Sequence, residues 1–491
     1  MKQYDAILLG SGQGSTPLAS SLANAGYKTL MIEMAHLGGT CVNEGCTPTK
    51  TMVTSGRVAY LARRAADYGI RAKVESIDMS RIRQRKRDIV DSFRGGSERR
   101  MTGVENLEVM KGEGIFTGIK ELKVVLTDGR GEERVKADKW VFISVGERPA
   151  VPKLDGLAET TKSMPNRVLN STSIMELDEV PESLIVLGGG YVGLEFAQLF
   201  ARLGAEVHIV QRAKQILPRE DPEVVEVLQG LLRDEGLHVH LSTEAVSVAQ
   251  GEGARPISLK IRSGTSGTTD DVRGSHLLLA AGRVPNTDNL NLESTGVHTD
   301  RRGYIITDEA LETSAPGIYA MGDCKGPPAF THISYDDFRI LRDNLGLQSN
   351  SPLNPLDRPS IPNTTTRRKP FVPYCCFTDP QLAHVGLHLH EIPAGSRKSI
   401  KVASWPMSWV ARGLETDEPR GLMKVVVNAE TGQILGFTCL SPEGGEMMTV
   451  VQMAMMGGLK WWDLREAVFA HPLWSEALNN IWGALKDAPG E

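Results

Sequence analysis

The sequence predicts an α/β protein with two Rossmann-like dinucleotide-binding units and a C-terminal α+β domain. Three observations predict it. The chain opens on an apolar run, a glycine-rich turn and a segment of helical period. The same succession returns near residue 184. After a stretch rich in Pro, Ser, Asn and Thr at 346–370, the pattern changes to scattered strands and helices. At roughly 150 residues per domain, a chain of this length suggests about three domains.

In the first unit, Ala6-Ile7-Leu8-Leu9 suits a buried parallel strand. Gly10-Ser11-Gly12-Gln13-Gly14-Ser15 follows, then Leu18, Ala19, Leu22 and Ala23 at helical spacing, with Gly26 at the expected C-cap. Gly10 permits the tight turn, and Gly12 lets the backbone approach a pyrophosphate at the helix N-terminus. Ser15 occupies the third glycine position of that motif. The next strand, Thr29 to Ile32, ends in Glu33, placed to bond a ribose hydroxyl. A plain glycine turn is the bland alternative, which the strand before, the helix after and the acid beyond argue against.

The second unit runs from Leu184 to Leu187 into Gly188, Gly190 and Gly193, a helix closed by Gly204, and the strand Val207 to Val210. Gln211-Arg212 follows where an acid would bond an NAD ribose. A cation there attracts a 2′-phosphate, so NADPH is expected over NADH, unless Arg212 is only a surface arginine. Two such units imply an internal duplication of architecture, one unit per nucleotide.

The polar stretch 346–370 reads as a linker or insertion. Beyond it, strands are expected at Lys401–Ala403, Met423–Val427 and Ile434–Cys439, and helices at Met447–Met456 and Trp474–Leu485. The net charge of −5 gives no bulk basic surface for nucleic acid. The local run from Arg81 to Arg100, interleaved with Ile82, Ile89, Val90 and Phe93, reads as the solvated face of an amphipathic helix. No apolar run reaches the ~18–20 residues of a membrane span. No signal peptide is expected, and six cysteines make no disulfide scaffold. A cytoplasmic, reducing location is the expectation.

The cysteines carry the sharpest signal. Cys41 and Cys46 stand five apart in Gly38-Gly39-Thr40-Cys41-Val42-Asn43-Glu44-Gly45-Cys46-Thr47-Pro48-Thr49-Lys50. Such a pair, in a glycine-containing turn entering a helix, can close a small disulfide, and a helix N-terminus stabilises thiolate. The rival readings are a buried structural pair or half of a zinc site, and no further CxxC or histidine cluster supplies the other ligands. No metal site is expected.

The segment GGTCVNEGCTPTK resembles the active-site segment of the class I pyridine nucleotide-disulfide oxidoreductases. The resemblance extends over almost the whole chain. Phe142 to Pro149, with Gly146, is similar to the family's crossing out of the FAD domain, and Leu278 to Asn286, with Gly282, to the return crossing. Ile318 to Asp323 resembles the second FAD motif, and Val372 to Gly386 the opening of the dimerisation domain. This implies an FAD domain at 1–150 and 285–345, an NAD(P)H domain at 151–284 and an interface domain at 371–491. FAD and NADPH (NADH being possible) are then the cofactors, and the active form is a homodimer.

The resemblance also implies roles. Cys46 would lie against the flavin as the charge-transfer thiolate, and Cys41 would be the interchange thiol. Lys50 and Glu195 would pair near the flavin N5. Gly39, Thr40 and Asp323 would hold FAD. His471 and Glu476, in His471-Pro472-Leu473-Trp474-Ser475-Glu476, resemble the HPTxxE acid-base pair that acts across the dimer, with Leu473 in place of threonine. A carboxylate-backed imidazole is the proton acceptor thiol exchange needs near neutral pH.

For the acceptor, Phe330 to Arg339 together with GCTPTK is more similar to the mercuric-reductase-like branch, which points to Hg(II) or Cu(II). The retained His471 and the lack of a C-terminal cysteine pair favour the runner-up, a small organic disulfide. Dihydrolipoamide dehydrogenase stands third, against Gln211-Arg212. A redox sensor that binds FAD without turnover is the reading from another class. Cys375-Cys376 and the methionines at 447–456 read as packing rather than as soft-metal ligands, because neighbours on a strand face opposite ways and methionine fills cores.

Overall fold

The computed structural model describes residues 1–347 and 363–489, so most of the expected 346–370 insertion lies outside the described residues. Residues 1–51, 83–150 and 283–369 form one compact unit, and residues 52–82, 151–282 and those from 370 onward form another.

The first unit is built on a parallel sheet in the order Leu107–Gly118, Thr29–Glu33, Lys2–Leu9, Glu132–Ile143, Ile318–Ala320. Strand Glu121–Leu126 joins the far ends of Leu107–Gly118 and Glu132–Ile143 in an antiparallel meander. Alternation along the strands decides which layer covers which face. Ala6, Leu8, Met31 and Phe142 share a core with Leu18 and Leu22 of helix Ser15–Asn24 and with Phe338 and Leu341 of helix Thr331–Asn344. Ile7, Leu9, Ile32 and Val141 face the other way, into a core with Phe116, Leu122 and Val124 of the meander. Both faces are covered, so the strand is apolar at every step. Each fully buried side chain of this kind stabilises by roughly 1.5–3 kcal/mol.

The second unit carries a five-stranded parallel sheet, ordered His238–His240, Glu206–Val210, Ser183–Leu187, His276–Leu279, Val168–Leu169. Helices Tyr191–Leu203 and Pro222–Asp234 pack on it through Leu194, Phe196, Phe200, Val225 and Leu228. A three-stranded antiparallel sheet, Thr243–Gln250, Ile257–Ser263 and Thr269–Gly274, shares a core with Ile185 and Leu277. The residues after 370 form a six-stranded antiparallel sheet containing Ile400–Pro406, Leu422–Asn428 and Ile434–Ser441, packed against helix Gly444–Met456.

One expected helix is corrected. Residues 474–485 form two short 3₁₀ turns, Trp474–Asn479 and Ile481–Ala484, in place of one α-helix. Their apolar residues follow the burial demands of Leu478, Ile481 and Trp482, all in the sheet's core, rather than a helical period. Among the described residues, no helix is long and apolar enough to cross a membrane.

Candidate active site

The first glycine turn is shaped by close approach. Gly10 has φ +92°, and a side chain there would collide with the Ser144 carbonyl. Gly12 has open space on the same turn, with only Ser144 Oγ at 3.6 Å from where a Cβ would stand. Gly14, beside Ser15, is also closely packed: a Cβ there would run into Ser334 and Met321. Ser15 is fully buried at the head of helix Ser15–Asn24, and its Oγ has no hydrogen-bond partner among the described residues. An orphaned hydroxyl beside a glycine turn at a helix N-terminus fits a pyrophosphate oxygen.

Glu33 does more than end its strand. Its carboxylate accepts hydrogen bonds from Ser11 N (2.9 Å), Ser11 Oγ (2.7 Å) and Ala35 N (2.8 Å). It thereby ties the glycine turn to the cysteine segment, because Gly38 N donates to Ser11 Oγ at 3.2 Å. Gly39 rests against the same turn, where a Cβ would stand 2.8 Å from Gly12 Cα. Gly146 also has positive φ (+65°), and its carbonyl accepts from Asn286 N at 3.0 Å. Asp323 sits on the short turn Gly322–Lys325, and burial followed by the charge of Glu147 pushes its carboxyl up to about 6. A carboxyl so raised fits ligand hydroxyls that donate to it.

Cys41 lies in the short helix Gly39–Asn43, and Cys46 is the first residue of helix Cys46–Arg63. Gly45 lets the two helices meet: a Cβ there would stand 2.9 Å from the Thr40 carbonyl. Cys41 is half-buried and Cys46 exposed, with Cys46 Sγ 3.5 Å from Thr331 Oγ1. A hydrogen bond with Cys46, then burial, drives the Cys41 thiol well above its ordinary value, against the opposing pull of Thr331 and the Lys50 charge. Cys46 stands at the positive end of an 18-residue helix. Lys50 stands one turn further along.

Sequence reasoning missed what holds this segment. Asn43 Nδ2 donates to the carbonyls of Gly39 (2.9 Å) and Leu37 (3.1 Å), while its Oδ1 accepts from Arg94 Nε at 2.8 Å. Arg85 Nη1 donates to the Thr51 carbonyl at 2.7 Å. The basic run in helix Met79–Met101 is thus not only a solvated face, since two of its arginines anchor the cysteine helices. A cation interleaved with apolar residues signals nothing of this until the helices are placed. Thr331 lies in the 330–339 segment that resembles the mercuric-reductase-like branch, but nothing in the sequence set it beside Cys46.

In the second unit, Gly188 (φ +118°) passes under the Ala280 carbonyl and Gly193 against that of Gly188, while Gly190 has nothing near its missing Cβ. Gln211 Oε1 accepts from Gly189 N at 3.2 Å, and Arg212 beyond it is exposed. Gly282, also at positive φ (+124°), is exposed. Glu195, buried on helix Tyr191–Leu203, accepts a hydrogen bond from Phe377 N at 2.9 Å. Glu195 and Lys50 belong to different units. His471 Nδ1 lies 2.9 Å from Glu476 Oε2, with the imidazole largely exposed. Cys376 is buried with Leu194 and Leu382, whereas Cys375 packs with the core of Cys439 and Met447. The two thiols face separate cores.

Residues 4–337 match the pyridine nucleotide-disulphide oxidoreductase family, and residues 372–481 match the dimerisation domain of the same name. The chain is 33% identical to the probable pyridine nucleotide-disulfide oxidoreductase RclA of Escherichia coli K12, over 99% of this chain and all of that one. It is also 33% identical to a mercuric reductase of Streptomyces lividans, covering 93% of this chain and 90% of that one. Among solved structures, the Cu(II) complex of the HOCl-induced flavoprotein disulfide reductase RclA from Escherichia coli aligns with TM-score 0.85 and 32% identity, over 98% of this chain and 99% of that one. The chain belongs to the pyridine nucleotide-disulphide oxidoreductases, enzymes that work with FAD and NAD(P)H.

Proposed function

We propose that this member of the pyridine nucleotide-disulphide oxidoreductases uses the Cys41–Cys46 pair to pass electrons from NADPH to a soft metal ion, Hg(II) or Cu(II). The observation that carries the reading is the pair itself: two sulfurs in hydrogen-bond contact at the head of an 18-residue helix, pressed by Gly39 onto a glycine turn. The metal acceptor is supported by two relatives, one named as a mercuric reductase and one solved as a Cu(II) complex.

Bound FAD and NADPH would supply the hydride chemistry. The first turn (Gly10, Gly12, Ser15), with Glu33, Thr40, Gly146 and Asp323, would hold FAD. Gly188, Gly190, Gly193 and Gly282 would hold the nicotinamide nucleotide, with Arg212 favouring a 2′-phosphate. Cys46 takes the charge because the helix end stabilises it. Cys41 meets the acceptor. A soft metal ion displaces the Cys41 proton to solvent as it binds, so this reading does not depend on His471; on an organic disulfide, His471, oriented by Glu476 and supplied by a second copy in a homodimer, would move that proton. The dithiol yields two electrons and two protons as it closes to the disulfide, enough for one Hg(II) or two Cu(II).

The His471–Glu476 geometry favours a second reading, reduction of a small organic disulfide, where a leaving thiolate needs the proton back. NADPH oxidation with Hg(II), Cu(II), oxidised glutathione and lipoamide, run beside Cys41→Ser and His471→Ala, separates the two. Metal-dependent turnover that needs Cys41 and survives His471→Ala is the expected result. Disulfide turnover that collapses at least a hundredfold in His471→Ala, with none on metals, would replace the first reading by the second.

A further inference from the structure

A second cluster of ligating side chains lies away from the cysteines, inside the second unit. Asp221 caps the start of helix Pro222–Asp234, and His388 and His390 follow strand Gln381–Gly386. Asp221 Oδ2 is 3.3 Å from His388 Nδ1, and Asp221 Oδ1 is 3.6 Å from His390 Nδ1. The three ligand atoms all lie within 4.8 Å of one another. Two atoms each ~2.0–2.1 Å from a shared tetrahedral ion stand about 3.3 Å apart, which the two contacts of Asp221 already approach.

The second observation is behind the site. His388 Nε2, the nitrogen facing away from Asp221, is 2.9 Å from Tyr374 Oη and 3.6 Å from Glu220 Oε2. Glu220 is buried, its Oε1 accepts from the Tyr191 and Tyr374 hydroxyls, and its Oε2 accepts no hydrogen bond among the described residues. A metal-bound imidazole donates its other N–H to a carboxylate, which fixes the tautomer and strengthens the ligand. Here the Nε2–H goes to Tyr374 Oη, whose own hydrogen goes to Glu220 Oε1, so the imidazole is tied to the buried carboxylate through the tyrosine, with Glu220 Oε2 left without a hydrogen bond beside it. His384 stacks on the His388 ring at 3.7 Å, and the His388 amide is held by Glu391 at 2.8 Å, so the ligand is oriented before any ion arrives. His390 is half exposed and leaves an entry from solvent.

We propose that Asp221, His388 and His390 form a binding site for a divalent transition ion of the zinc, nickel and copper class, separate from the cysteine pair. Two imidazoles and one carboxylate suit that class and leave a fourth position for water. Lys424 Nζ, 3.6 Å from Asp221 Oδ1 and 3.2 Å from Glu223 Oε2, holds the carboxylate in the ion's absence and swings to Glu223 when one binds. The other group of this kind, Glu206, His208 and His238, is less suited. There Glu206 is held by Arg255 at 2.7 Å, and the nitrogen of His208 that faces away from Glu206 meets another imidazole, His240, rather than a group backed by a carboxylate.

The test uses FAD-loaded protein carrying Cys41→Ser and Cys46→Ser, so that the redox centre neither binds nor reduces the probe. Zn²⁺ alone is titrated by calorimetry, and Co²⁺ is followed by its visible absorption. One ion per chain is expected, with a four-coordinate Co²⁺ spectrum. His390→Ala, an exposed substitution that leaves flavin absorbance and melting temperature unchanged, should weaken Zn²⁺ binding at least tenfold. Lys424→Met should strengthen it, and His238→Ala should leave it unaltered. No binding, or binding that His390→Ala leaves intact or that His238→Ala removes, overturns the site.

Discussion

At the scale of single residues, the informative side chains are those whose surroundings disagree with their chemistry. Asp323 is a carboxyl pushed up to about 6, chiefly by burial, against roughly 3.9 in an unfolded chain. The native state therefore binds the extra proton, and stability falls as pH rises from about 4 to about 6, staying lower above. Allowing for residual solvent screening, the cost at neutral pH is roughly 2 kcal/mol in flavin-free protein. Asp323→Asn should then raise the melting temperature of flavin-stripped protein at pH 8 and leave it unchanged at pH 4, while weakening FAD retention. A variant no more stable than the parent at pH 8 would show that the carboxyl is not burdened by burial. Sequence reading placed Asp323 at the end of its motif, yet nothing in IYAMGD indicates how buried it is. His384, His388 and His390 were likewise visible as HVGLHLH, and drew no chemistry until the fold set Asp221 beside them.

At the scale of elements, periodicity and punctuation were enough for the strands and helices of both glycine motifs, because each is covered on both sides and leaves an unambiguous apolar run. They failed at 474–485, where burial of Leu478, Ile481 and Trp482 is met by two 3₁₀ turns. The glycine motif holds a further close contact that its spacing did not indicate. Spacing pointed to Ser15, which is fully buried, and the helix Thr331–Asn344 also meets the backbone at Gly14. Gly14→Ala would drive a methyl into the Ser334 carbonyl, which is backbone and has little room to yield, so a loss of about 1–3 kcal/mol is expected. Ser15→Ala should be neutral or stabilising without FAD, because it removes a buried unpartnered hydroxyl, and should weaken FAD binding. Urea unfolding of both variants, with and without added FAD, checks the contrast. Equal behaviour of the two would mean that neither the crossing nor the orphan hydroxyl has the role given to it.

At the scale of the whole molecule, the family and fold class were legible because the cysteine segment, two glycine motifs and the HPxxxE segment occur in fixed order along one chain. The assembly was legible only by resemblance, and the structure adds a physical ground for it. The domain after residue 370 leaves Trp409, Leu414, Met453, Met456, Val468 and Leu473 exposed, with Val468 at 99%. Such side chains are what a second chain would cover in a homodimer. Val468 and Leu473 flank His471 along the chain, so the histidine proposed to serve the cysteines stands between two of these exposed residues. Val468→Glu changes a side chain with no intramolecular packing to lose, so the fold of a single chain should tolerate it with an effect within about 0.5 kcal/mol. A charge buried in a dimer interface without a partner costs far more, and the variant should shift toward monomer in sedimentation velocity. Its FAD content should be unchanged. If His471 acts on the partner's cysteines, disulfide turnover should fall with the dimer fraction and recover at high protein concentration. A monomeric variant that keeps full disulfide turnover would place the base elsewhere in the same chain.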